Sequence, residues 1–177
     1  AELLDPKMRD STDFPKWLND PNTKSKLHGK TVMMYCTGGI RCERATALLN
    51  QMVEAEEEGG FKTKDVVMAR GGIERYLKTY PDGGFWKGKN YLFDKRMEQV
   101  PSLKTRDQLE QDVESCCCVC KVKHASYRGQ FKCSQNDTCS VPVIVCPKCV
   151  KKAKYDSSIL VCPLCEEGYE RPMEAPD

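Results

Sequence analysis

Residues 31–35, Thr-Val-Met-Met-Tyr, form a short apolar run between Gly29 and a glycine-rich turn, the pattern of a buried strand. From Glu43 the period changes: Ala45, Leu48, Leu49, Met52 and Val53 recur at helical spacing until Gly59-Gly60 ends the stripe. The plan then repeats. Asp65–Met68 reads as a second buried strand, Ala-Arg-Gly-Gly as a turn, and Ile73, Tyr76, Leu77 and Tyr80 as one face of a short helix closed by Pro-Asp-Gly-Gly. Strand, turn and helix occurring twice predict βα units and a mostly parallel sheet flanked by helices, an α/β class. Ahead of this, residues 1–29 are polar, with Phe14, Trp17 and Leu18 placed to cover a core edge. Behind it, the aromatic stretch 85–97 is expected to pack back on the sheet, and polar residues 102–115, weakly helical in period, read as a linker. The expected organisation is therefore a domain over 1–101, a linker over 102–115 and a cysteine-rich module over 116–177.

Composition narrows the class. The chain has 177 residues, 31% charged and 40% hydrophobic, as a soluble domain with a small appendage would. Its formal charge is +2, with acids and bases balanced through residue 115 and the excess in the C-terminal third, too small to signal a nucleic-acid binder by itself. No apolar stretch approaches the ~20 residues of a membrane helix. The first residues lack a secretory pattern, and the alanine start reads as a fragment or processed form. Of twelve cysteines, two lie in the first turn and ten in residues 116–165, several as Cys-x-x-Cys. Without a secretory signal, that spacing predicts metal ligation in a reducing, cytoplasmic compartment rather than a disulfide scaffold.

The first turn concentrates chemistry. Cys36 ends a strand, Gly38 and Gly39 permit a sharp backbone, and Arg41 and Cys42 lead into a helix, with Thr37 and Ile40 completing the loop. Backbone N–H groups between a strand and a helix N-terminus make an anion cradle, and a thiol held there ionises more readily. Arg41 adds a fixed cation with several donors. Cys42 is placed either to resolve an oxidised or persulfidated Cys36 as a disulfide or simply to pack. Glu43 suits the helix N-terminus. Arg70, on the second turn, either lines the same mouth or is a solvated arginine.

Cys36-Thr37-Gly38-Gly39-Ile40-Arg41 resembles the rhodanese active-site loop, in which the first cysteine carries a persulfide. With Gly-Gly-Ile-Glu-Arg-Tyr-Leu at 71–77, the aromatic stretch 85–96 and the cysteine-rich tail, residues 12–165 resemble the rhodanese-type tRNA uridine hydroxylase family. That resemblance implies a rhodanese-like parallel sheet, Cys36 as the essential thiol, tRNA as partner and, as in bacterial members, oxygen-dependent 5-hydroxylation of the wobble uridine. The similarity begins near Phe14-Pro15-Lys16-Trp17-Leu18, so the family's preceding ferredoxin-like domain and its first rhodanese strand with an Asp-x-Arg motif are expected to be missing. Phosphatases of similar loop design hold five residues between cysteine and arginine; four stand here, which argues against them.

In the tail, Cys117-x-x-Cys120, Cys146-x-x-Cys149 and Cys162-x-x-Cys165 are chelating pairs, and Cys133 and Cys139 supply a looser fourth. Eight thiolates predict two four-cysteine zinc sites, whose binding would fold a segment poor in apolar bulk. An interleaved grouping is expected: 117, 120, 146 and 149 in one site, 133, 139, 162 and 165 in the other. Cys116 and Cys118 are left over as alternative ligands or free thiols, and His124 fits a loop better than a ligand position. Lys148, Lys151, Lys152 and Lys154 form a basic cluster, a solvated face or a contact for RNA phosphates.

Three function classes follow: a tRNA-uridine enzyme acting through Cys36, a sulfurtransferase that takes sulfane sulfur from thiosulfate or another persulfide, and a non-catalytic zinc-stabilised interaction protein. The intact Cys36–Arg41 loop argues against the third.

Overall fold

The structure, a computed structural model, describes residues 1–92, 98–126, 129–135 and 139–169. The chain divides into two units, one formed by Ala1–Thr79 and one beginning at Tyr80.

The first unit opens with α1 (Asp13–Asn19) and α2 (Pro21–Leu27). The second helix starts where its residues dictate, with Pro21 in the first turn and the Asp20 side chain accepting from the Thr23 amide at 2.9 Å. Then come β1 (Thr31–Met34), α3 (Ile40–Ala55), β2 (Asp65–Met68) and α4 (Gly72–Thr79). The two strands pair in parallel, Thr31 opposite Asp65 and Met34 opposite Met68. This is the expected βα-βα order, with one correction. The strands are half-buried rather than buried, because among the described residues of this unit one face of the sheet is packed and the other carries exposed side chains. Val32, Met34 and Val66 pack against a cluster of Leu18, Leu27, Leu49 and Phe61, whereas Met33 is 68% exposed on the other face. Leu49 is fully buried, which contributes about 2 kcal/mol by removing its side chain from water.

In the second unit, β3 (Asn90–Tyr91) pairs antiparallel with β4 (Glu98–Gln99). The aromatic stretch was expected to pack on the parallel sheet; its described strand instead forms this separate ladder, because its backbone groups are satisfied by Glu98 and Gln99. Phe93, Asp94, Lys95, Arg96 and Met97 of that stretch lie outside the described residues. The segment read as a linker lies within this unit and holds α5 (Arg106–Gln111). Thr105 and Gln108 form a capping box there, each side chain meeting the other's amide. Beyond it, β5 (Phe131–Lys132) pairs antiparallel with β6 (Pro142–Val143), followed by α6 (Pro147–Tyr155) and α7 (Pro163–Glu166). The core here is largely sulfur: Cys133, Cys139 and Cys162 are buried with Val143, Ala153 and Leu160. No helix of the described residues is long and apolar enough to cross a membrane.

Candidate active site and candidate metal centres

Cys36 follows β1 and faces the start of α3. The sequence pattern predicts a helix from about Glu43, yet α3 begins at Ile40. Gly39 is the reason. Its φ of 90° puts it in the left-handed region as N-cap, so that its carbonyl accepts from the amides of Cys42 and Glu43 at 3.0 and 3.2 Å. The loop therefore closes within four residues, and Arg41 and Cys42 belong to the first helical turn.

That geometry aims amides at sulfur. The Gly39 N–H donates to Cys36 Sγ at 3.1 Å. Burial pushes the Cys36 thiol up, but hydrogen bonds from the Cys42 thiol and from the amides of Cys42, Gly39 and Arg41 outweigh it and leave the pKa below that of an ordinary cysteine. Cys42 behaves oppositely. It is 3% exposed, and burial together with the neighbouring Cys36 pushes its thiol up to about 12, against a smaller opposing pull from Arg41. The pair is thus a thiolate-forming sulfur held by a thiol that keeps its proton. Arg41 is exposed at the loop's mouth, with Nη2 3.5 Å from Thr37 Oγ1, and Ile40 is 74% exposed beside it.

The second turn completes the loop from behind. The amides of Ile73 and Glu74 at the start of α4 donate to the carbonyls of Cys36 and Thr37, both at 2.9 Å. Gly71 and Gly72 have positive φ, and a Cβ on Gly39 would lie 2.9 Å from the Gly71 nitrogen. The backbones can approach only because neither turn carries a side chain there. The sequence leaves Arg70 either lining the same mouth or solvated; the contact between the two turns is made by the glycines and amides. Arg70 itself is exposed at the carboxyl end of β2, the edge on which Cys36 follows β1. The signal that could have revealed the contact was the matching Gly-Gly-Ile in both turns.

In the second unit the thiols gather in two sets, Cys117, Cys120, Cys146 and Cys149, and Cys133, Cys139, Cys162 and Cys165, the sulfurs of each set lying within 4.8 Å of one another. This is the interleaved grouping. Four sulfurs at about 2.3 Å from a tetrahedral ion stand about 3.8 Å apart. Cys120 and Cys146 are 3.7 Å apart and Cys139 and Cys162 are 3.9 Å apart, so the sets can hold metal ions. The two are built alike. Cys146 and Cys162 each N-cap a helix with proline in its first turn, and their amides donate to Cys117 and Cys133 respectively, both at 3.3 Å. A Cys-Pro-x-Cys written twice was the unread signal. Burial would raise Cys117, but amides of Cys146, Cys120 and Val119 and the Cys120 thiol pull it down to about 6, whereas burial and its partner thiols push Cys149 up to about 12. Thiolate charge in the first set is therefore favoured at Cys117. Cys116 and Cys118 lie in neither set, and His124 Nδ1 accepts from the Ser126 amide at 3.1 Å.

Comparison with known proteins bears on both parts. Residues 87–167 match the family model described as Rhodanase C-terminal. The chain carries a rhodanese C-terminal domain. This domain contains both cysteine sets, and Cys36 lies ahead of it. The chain is also 38% identical over 167 residues to "Rhodanese-like domain-containing protein 6" of Arabidopsis thaliana, covering 94% of this chain and 25% of that protein. It is 37% identical over 114 residues to a "tRNA uridine(34) hydroxylase" of Brucella anthropi, covering 64% of this chain and 32% of that one. The counterpart of that name in Brucella ovis is 36% identical over the same length. The chain thus spans about a quarter to a third of the length of these relatives. No solved structure matches it.

Proposed function

We propose that this chain carries the catalytic thiol of a rhodanese-type enzyme that modifies the wobble uridine of tRNA, most specifically by 5-hydroxylation, and that Cys36 is that thiol. The observation that carries the reading is the Cys36 sulfur in its cradle: an amide at 3.1 Å, a pKa lowered by surrounding donors, and Arg41 in the adjoining helical turn. The names of the relatives in Brucella supply the substrate.

The chain's own residues would act as follows. Gly39, Arg41 and Cys42 favour Cys36 as a thiolate through their donors, so the nucleophile forms at a lower pH than in an ordinary cysteine. Arg41 offers its guanidinium to an anionic group of substrate or donor at the mouth of the loop. The turn at Gly71-Gly72 fixes the loop so that these donors need not reorganise as charge develops. We assign zinc to both cysteine sets, as ions that hold the second unit together.

Nucleoside mass spectrometry tests the reading. tRNA from cells lacking the gene should lose 5-hydroxyuridine-derived nucleosides at the wobble position, restored by the wild-type gene and not by Cys36→Ser. Unchanged hydroxylation with altered thiolation would turn the assignment toward sulfur transfer.

A further inference from the structure

Helix α6 has two faces of opposite character. Cys149 and Ala153 are buried on one, tying the helix into the first cysteine set and the adjoining core. On the other, Lys148, Lys151, Lys152 and Tyr155 recur at i, i+3, i+4 and i+7, one stripe along the helix. All four side chains are exposed, Tyr155 at 83%, and exposed Lys154 flanks them. Helix α6 contains no acidic residue, and among the described residues none of its four lysines forms an ion pair. Some lysines elsewhere in the chain do form ion pairs, Lys24 with Glu56, Lys89 with Glu98 and Lys121 with Glu166 among them. An unneutralised basic stripe held on a helix that is itself anchored by Cys146 and Cys149 is a prepared surface for a polyanion.

We propose that this face of α6 binds single-stranded RNA, Lys148, Lys151 and Lys152 neutralising phosphates along the strand while Tyr155 stacks on a neighbouring base. Lysines set along one line match a repeating backbone charge, and an exposed aromatic ring at the end of that line adds the stacking platform typical of single-strand binders. A membrane is a poorer occupant. An interfacial helix inserts an apolar face, and the apolar face of α6 is already buried in its own unit. The inference deepens the proposed function and rests on its reading of RNA as substrate. It lies in the second unit and requires nothing of Cys36.

The test is salt-dependent binding of the full chain to a labelled oligouridylate and to an unmodified tRNA transcript. Each phosphate contact steepens the dependence of log affinity on log salt by about 0.7 for a single strand and 0.9 for a duplex. Replacing Lys148, Lys151 and Lys152 together by glutamine should therefore flatten the slope by about 2–3, and three contacts account for a roughly 20- to 40-fold fall in affinity between about 50 and 200 mM salt. The triple arginine variant should retain the wild-type slope, which separates lost charge from lost folding. Tyr155→Ala should weaken oligouridylate binding about tenfold and Tyr155→Phe should not. An unchanged slope in the glutamine variant overturns the surface and leaves the proposed chemistry standing if tRNA hydroxylation still depends on the gene. A flattened slope in a protein whose gene does not affect tRNA uridine has the reverse meaning. Wild-type binding to phosphatidylserine vesicles or polyglutamate but not to either RNA would overturn it in favour of another anionic partner.

Discussion

The Ile73 amide donates to the Cys36 carbonyl at 2.9 Å, and Gly72 lies so close that a Cβ added to it would sit 2.3 Å from the same oxygen. The shape of the first loop is thus set from the second turn, more than thirty residues away in sequence. Gly72 also has a φ of 61°, so alanine would add backbone strain to a clash that no side-chain movement relieves. Gly72→Ala should lower stability by about 2–4 kcal/mol, and Cys36 alkylation should slow with it. A melting temperature within a degree of wild type would show the contact to be looser than drawn.

The Cys36–Cys42 pair makes a pH prediction. Because Cys36 is lowered, its thiolate and hence its alkylation rate should rise with a midpoint below the ordinary 9.0, while Cys42, near 12, stays protonated and inert over that range. Cys42→Ala removes a donor to the thiolate, so the midpoint should move up. Rate against pH, followed by intact mass with a small electrophile, decides it. Preferential labelling of Cys42 would invert the assignment of roles.

Arg41 is exposed, so its loss should cost little stability, within about 0.5 kcal/mol. Arg41→Ala should nonetheless reduce turnover by ten-fold or more if the guanidinium meets an anion, with Arg41→Lys recovering only part. Parallel loss of melting temperature and activity would make it a structural arginine.

The order of strands and helices in residues 31–79 was legible because hydrophobic period changes cleanly from run to stripe, and Cys36 stood out because sulfur, glycine and arginine crowd one turn. The exposed sheet face was not legible. Met33 and Val67 are apolar, and local pattern gives no sign of whether another layer covers them. The early start of α3 was hidden because it depends on a left-handed Gly39, a choice that glycine permits but does not impose. Chelating spacing revealed the eight thiols of the tail, whereas the helix at Arg106–Gln111 is announced by a weak helical period and by Thr105 and Gln108, a capping signal set in polar surroundings.

Metal analysis of the purified chain should find two zinc ions. A strong chelator should unfold residues 116–165 and leave the β1–β2 pairing with its Leu49 cluster intact, since that unit holds no chelating set among the described residues. Cys117→Ser should lower zinc content by about one ion, in the set with Cys146, and spare the set with Cys162. Loss of both ions would mean that the sets fill only together. A chain with disulfides and no zinc would refute the assignment outright.

The crossed order of the two sulfur sets also bears on divisibility. One set runs from Cys117 to Cys149 and the other from Cys133 to Cys165, so each straddles part of its neighbour. A break anywhere from 120 to 162 parts at least one set across two pieces, and a break from 139 to 146 parts both. No shorter excerpt of this region can retain both sets, and neither set can be inherited, deleted or transplanted as a contiguous block without carrying away half of the other.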